Sequence, residues 1–190
     1  MAVPPPVSMI DDKPALRARM RAARDAFAPL VPQIAVPGDY IDRLQPGIII
    51  ASYIPLGTEA DPAPLVEAAL VAGCTIALPH VVDRGTPMRF LRWAPGDALE
   101  PGRYGLRQPS TAALEIDPDI VLVPLLAFDS RLHRLGQGAG YYDRALARLS
   151  GAWRIGIAWS VQQVAAVPVD RWDVALHGVA TECAFHNGDT

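Results

Sequence analysis

Cysteine is scarce in this 190-residue chain: Cys74 and Cys183 stand far apart and without CxxC spacing. That excludes a disulfide framework and argues against a zinc site, and both residues read as buried small hydrophobes. Lysine is scarcer still, because all but Lys13 of the 17 basic residues are arginine. An excess of positive charge is missing too. The 17 basic and 20 acidic side chains leave a formal net charge of −3, which gives no electrostatic reason to expect a nucleic-acid partner. Long apolar runs are absent. Ile48 to Ala51 and Ile120 to Phe128, the latter containing Pro124, fall well short of the roughly 18 residues of a membrane span. A soluble protein with no membrane partner is expected. The opening Met-Ala-Val-Pro-Pro-Pro has no basic n-region, apolar h-region or small-residue cleavage site, so the cytoplasm is the expected compartment.

What is present is a chain with 51% hydrophobic and 19% charged residues, able to bury a core and of a length that suits one domain. Residues 1–10 are proline-rich and aperiodic and read as a frayed lead-in, leaving 11–190 as a single α/β domain. Asp11 and Asp12 offer an N-cap to a helix from Lys13 to about Ala28, whose Leu16, Met20, Ala23 and Phe27 recur at helical spacing. Arg17, Arg21 and Arg24 share one row with Lys13, a face that reads as solvated. A short helix near Tyr40 to Leu44 precedes Gly47-Ile-Ile-Ile-Ala-Ser-Tyr53, a strand buried on both faces. Asp61, Pro62 and Gly73 bracket the next helix, and Thr75 to Pro79 begins the next strand, which makes one βαβ unit with parallel neighbours. Met88 to Trp93 alternates as an edge strand does, and Ala94 to Asp117 reads mostly as loop. Ile120 to Phe128 is the strongest buried-strand signal. A glycine-rich turn, a helix from Tyr141 to Leu149, a strand from Arg154 to Trp159 and a last one within Val179 to Phe185 follow. The alternation predicts a three-layer α/β/α sandwich with a mainly parallel sheet, in which ligands sit beyond the C-terminal strand ends.

The loop after Phe128 carries the chemistry. Gly136, Gly138 and Gly140 alternate between a strand and a helix, where exposed backbone N–H groups and the helix N-terminus together suit an anion, phosphate above all. A tight turn without a ligand is the competing reading. The Rossmann fingerprint is excluded because Tyr141 and Asp143 occupy positions that need glycine, and Walker A because no lysine follows the last glycine. Asp143, in the first helical turn, is placed either to hold Mg²⁺ against phosphate oxygens or to favour the helix N-terminus by its charge. Arg134 and Arg144 flank the loop as a phosphate clamp or as surface residues. His80, His133, His177 and His186 lack the spacing of a metal trio. Trp153, Trp159 and Trp172 read first as packing residues, with Tyr53 and Trp172 as candidates for the wall of a ligand pocket.

The string from Val123 through Phe128, Arg134 and Gly136-Gln-Gly-Ala-Gly140 to Tyr141-Tyr-Asp-Arg144 resembles the signature of the 5-formyltetrahydrofolate cyclo-ligase family, also called 5,10-methenyltetrahydrofolate synthetase. The early Lys-x-x-x-Arg helix, the Tyr53-Ile-Pro-Leu-Gly-Thr-Glu-Ala-Asp61 turn, the Leu78-Pro79 strand end and Val167-Pro-Val-Asp-Arg-Trp-Asp173 follow in family order, from Lys13 to Glu182. The resemblance implies ATP- and Mg²⁺-dependent cyclisation of 5-formyltetrahydrofolate to 5,10-methenyltetrahydrofolate with release of ADP and phosphate. By position it implies that Lys13 and Arg17 contact the ATP phosphates. Arg134, Leu135, Gly136, Gln137, Gly138, Ala139, Gly140, Tyr141 and Tyr142 would wrap the nucleotide, with Gln137 to Tyr141 also approaching the folate. Leu56, Glu59 and Asp61 would lie on the folate side, and Asp143 and Asp173 would serve the metal. A monomer is expected. Where some members place basic residues in the loop, this chain has Gln137 and Ala139, which leaves the number of phosphate contacts open. Two other readings stand beside it: the same ATP site acting on another N-formyl or carboxyl compound, and a folate-binding protein without turnover. Every catalytic reading requires the first helix to come near the glycine loop.

Overall fold

The structure, a computed structural model, describes residues 12–27 and 33–188. The lead-in at 1–10, the Asp11 cap and the helix end at Ala28 lie outside the described residues. Helix α1 (Lys13–Phe27) is followed by α2 (Gly38–Ile41), β1 (Ile49–Ala51), α3 (Ala63–Val71), β2 (Thr75–His80) and β3 (Arg89–Trp93). Then come β4 (Leu99–Pro101), β5 (Arg107–Pro109), β6 (Ile120–Pro124), β7 (Ala127–Phe128), β8 (Arg134–Leu135), α4 (Tyr141–Arg148), β9 (Trp153–Ile157), β10 (Gly178–Ala180) and β11 (Phe185–His186). The main sheet has seven strands in the order β11-β10-β9-β6-β1-β2-β3. Its interior pairings are parallel and its two edge strands antiparallel. The expected fold class is therefore present, with β1, α3 and β2 forming the βαβ unit in register Ile49 to Thr75.

Alternate residues of the central strands feed two cores, as the period of two requires. Ala51, Val121 and Val123 point to the side covered by α4 through Ala145, Leu146 and Leu149. Ile50, Ile120 and Leu122 point to the side covered by Tyr40 and by Leu65 and Ala69 of α3. A third cluster joins Leu16 and Met20 of α1 to Leu126, Ala127, Leu135 and Val167, which fixes α1 across the loops that leave the sheet. The chain passes from β1 to β2 on one side and to β6 on the other, so the C-terminal ends of β1 and β6 form the switch point where open α/β sheets place ligands.

Several expectations need correction. Ile120 to Phe128 is not one strand: β6 ends at Pro124, and Leu126 N–H donates to Leu135 O as the chain enters the β7–β8 hairpin. Proline has no N–H to continue the ladder there. Gly47 to Tyr53 contributes a strand of only three residues, between Pro46 and Pro55. The short helix starts earlier, at Gly38, and the Ala94 to Asp117 stretch contains the β4–β5 hairpin. The last strand is two short antiparallel pieces, β10 and β11. Cys74 is buried as expected, but Cys183 is exposed, in the turn between those pieces. Among the described residues no helix is long and apolar enough to cross a membrane.

Candidate active site

Beyond the ends of β1, β2 and β6 lies a cavity of about 760 Å³, a size ordinary for small-molecule and cofactor sites. Helix α1 forms one wall with Lys13, Arg17 and Arg24, the turn after β1 another with Tyr53, Leu56 and Glu59, and the loop from Arg134 to Asp143 a third. The required approach of α1 to the glycine loop is present: Arg17 Nε donates to Gly136 O at 2.9 Å. Every sequence-nominated residue lines this cavity except Arg144 and Asp61, the latter exposed and accepting Ala63 N–H at 2.9 Å at the start of α3.

At the loop end, the N–H groups of Gly136, Gln137, Gly138, Ala139 and Gly140 make no hydrogen bond within the described residues. Gly138 has φ +99°, and a Cβ there would come within 3.2 Å of Arg17 Cζ, so glycine is required both by the backbone and by the close packing of the arginine. Gly140, at φ +69°, starts α4, whose first turn holds Asp143. These uncommitted donors and the helix N-terminus suit the loop to an anion. Arg134 is buried; it donates to Val174 O and to the Asp143 carboxylate. Arg144 instead braces the loop from outside through Ala139 O and Arg84 O, each at 3.3 Å.

Lys13 Nζ donates to Asp170 Oδ2 and Asp173 Oδ2, both at 2.6 Å. Burial opposes the ammonium charge, but the two carboxylates outweigh it and raise the Lys13 pKa. Burial likewise opposes the Asp173 charge, yet Lys13 and the Asp170 N–H hold its carboxyl below the ordinary range. Asp143 and Asp173 are thus cavity carboxylates, each lying against a cation. Among the described residues, no group of three or more His, Cys, Asp or Glu side chains is placed to hold a metal. Two carboxylates facing an anion site fit Mg²⁺, which takes one or two protein oxygens and completes its shell with water and phosphate.

At the other end the partners are fixed. Glu59, 9% exposed at its side chain, accepts Leu56 N–H at 3.0 Å and the Gln137 amide at 3.3 Å. Gln137 also accepts from Arg21 at 2.9 Å, so it ties α1 to Glu59. Tyr53 donates its hydroxyl to Ala60 O at 2.6 Å, and burial holds its pKa well above the ordinary value, so it stays a neutral donor. Burial raises the Tyr142 phenol as well. Trp159 Nε1 donates to Thr58 O at 3.0 Å. Trp172, 60% exposed, stands at the cavity wall while Trp159 is buried.

Sequence reasoning missed Arg24, Asp170 and Tyr104. Arg24 reads as one more cation on a solvated face but is buried. It follows Leu16 and Met20 at four-residue steps, so the buried stripe of α1 was legible while its charged end was not. Asp170, three residues before Asp173, carried no signal apart from lying in the same motif string. Tyr104, in the left-handed region at φ 59° and exposed, is brought to the cavity by the β4–β5 hairpin, its ring 6.4 Å from that of Tyr141.

The family model described as "5-formyltetrahydrofolate cyclo-ligase family" matches residues 9–182. The 5-formyltetrahydrofolate cyclo-ligase of Escherichia coli is 32% identical over 144 residues, covering 70% of this chain and 76% of that protein. That of Haemophilus influenzae is 30% identical over 142 residues, covering 68% and 73%. Among solved structures, the 5,10-methenyltetrahydrofolate synthetase of Aquifex aeolicus superposes with a TM-score of 0.65 at 24% identity, over 94% of this chain and 95% of that one. The synthetase of Mycoplasma pneumoniae gives 0.63 at 24% identity, over 94% and 100%. These two structures speak to the fold alone.

Proposed function

The chain belongs to the 5-formyltetrahydrofolate cyclo-ligase family, and from that premise we propose that it cyclises 5-formyltetrahydrofolate to 5,10-methenyltetrahydrofolate, consuming ATP and releasing ADP and phosphate. The formyl oxygen attacks the γ-phosphorus and the bond to ADP breaks. N10 then attacks the activated carbon, loses its proton, and phosphate leaves with the former formyl oxygen. Phosphoryl transfer asks for positioning and charge neutralisation rather than a protein nucleophile. The loop amides from Gly136 to Gly140 take phosphate oxygens, and Lys13 and Arg17 supply charge from the facing helix. Asp143 and Asp173 hold Mg²⁺, which when bound neutralises phosphate charge. Glu59 accepts the pterin N–H groups, with Leu56 and Tyr53 walling the ring. We read residues 11–190 as one catalytic domain, since a single seven-stranded sheet runs from β1 to β11.

The observation that carries this reading is the convergence of α1 on the glycine loop within a cavity that Glu59 also lines. Purified protein given Mg²⁺-ATP and 5-formyltetrahydrofolate is expected to develop the near-ultraviolet absorbance of the conjugated methenyl product, one ADP per turnover. ATP turnover only with a different N-formyl or carboxyl compound replaces the substrate, and folate binding with no ADP release removes the catalytic role.

A further inference from the structure

Arg24 has no part in the scheme above, yet it lies within the site. It lines the cavity and is 7% exposed. Among the described residues, only Nε of its three nitrogens makes a hydrogen bond, to Thr58 Oγ1 at 3.2 Å, and Nη1 is enclosed without a partner. Glu59 Oε1 stands 3.8 Å from Nη1, a charge contact too long for a hydrogen bond. Thr58 in turn donates to Asp25, which fixes the Nε edge of the guanidinium and leaves the terminal N–H groups uncommitted. A buried guanidinium with idle donors is costly.

We propose that Arg24 and Glu59 act as a donor–acceptor pair that reads the amide edge of the ligand ring: Glu59 accepts its N–H groups, and Arg24 donates to the carbonyl oxygen beside them. This rests on the folate reading, since a 4-oxo pterin presents N3–H and a 2-amino group next to its 4-oxo oxygen. Phosphate is not the guest of Arg24. It lies eleven positions along the helix from Lys13, about 16 Å along the axis, and seven positions, about 10 Å, from Arg17, and it stands beside Glu59. A carboxylate is not the guest either, because it would lie against the Glu59 carboxylate. A neutral carbonyl meets both conditions. Tyr53 does not compete for it, its hydroxyl being committed to Ala60 O. A 4-amino ring would set an amino donor against the guanidinium donors and, having no N3–H, would also give Glu59 one donor fewer, an arrangement that such a site rejects.

The test is binding without ATP, read by tryptophan fluorescence, of 5-formyltetrahydrofolate and of its 4-amino-4-deoxy counterpart. The wild-type chain is expected to prefer the 4-oxo compound by about tenfold or more. Arg24→Met, checked for folding by thermal melting, is expected to narrow that preference by about threefold or more, the remainder resting on Glu59 and N3–H, while ATP affinity, titrated separately, stays as in the wild type. Equal binding of both compounds by the wild-type chain overturns the proposal without any variant, and so does an Arg24→Met protein that keeps the preference in full. Binding of neither compound by the wild-type chain overturns the folate reading itself.

Discussion

At the glycine-loop end of the cavity, the charged side chains are held by one another: Lys13 by Asp170 and Asp173, Arg134 by Asp143. At the Glu59 end, the holding groups are backbone atoms and buried side chains, among them Leu56 N–H, Trp159 and the Thr58 turn. The first arrangement holds five charges, two cations and three carboxylates, in pairings that phosphate and a cation can take over, cation to phosphate and carboxylate to metal. The second has nothing to exchange. Its carboxylate is already oriented, which favours selectivity for one hydrogen-bonding pattern over adaptability. One cavity thus joins a region suited to rearrange its charges with a region suited to recognise a ring.

The sharpest way to break this comparison is Asp143→Asn. Turnover is expected to fall about a hundredfold or more, the scale for loss of charge stabilisation in a transition state, with the dissociation constant for folate changed less than about twofold. Single-turnover kinetics beside a folate titration gives both numbers. Equal loss in both, or unchanged turnover, removes Asp143 from the metal role. Next in size is a crossed pair. Lys13→Ala is expected to raise the KM for ATP about tenfold and leave that for folate alone, whereas Glu59→Gln does the reverse, as loss of one charged hydrogen bond predicts. Cross-talk, with each variant moving both constants, would mean that the two ends are not separable.

The smallest effect is on stability against pH. Because the Asp173 pKa is lowered on folding, its contribution is present above the unfolded carboxyl value of about 4 and is lost as pH falls through the folded value. Because the Lys13 pKa is raised, its contribution is present below the unfolded value of about 10.4 and is lost as pH rises through the folded one. Melting temperatures measured across pH should therefore show Asp173→Asn losing part of the wild-type decline in acid, by an amount within the ~1 kcal/mol of a partly exposed pair. Identical acid declines in the two proteins would show that the pair is not formed in solution.

Much of the fold was legible because its signals are local. The βαβ unit from Ile49 to His80 follows from an apolar run, a proline-initiated helix and Gly73 at its end. The glycine loop follows from alternating glycines set between a strand signal and a helix signal. Boundaries were less legible where pairing rather than composition ends a strand: Leu125 to Phe128 is as apolar as β6, yet Ala127 and Phe128 pair with β8. Asp61 shows the same limit at the site. Its place in the motif string suggested a ligand contact, but its carboxylate is engaged by Ala63 N–H on the exposed side of the turn.

By itself the sequence determined that there is a glycine-rich bend between a strand and a helix, which acids and cations accompany it in the chain, and which family's motifs they form, since these depend on residue type and short spacing. Only the tertiary structure decided which charges meet. Arg17, Arg21 and Arg24 are alike in sequence, but Arg17 packs against Gly138, Arg21 reaches Gln137 from an exposed position, and Arg24 is enclosed beside Glu59. The charge of each is set by its own atoms. Its solvation and its partner are set by residues more than thirty positions away, and those are brought together by the path of the chain through the sheet.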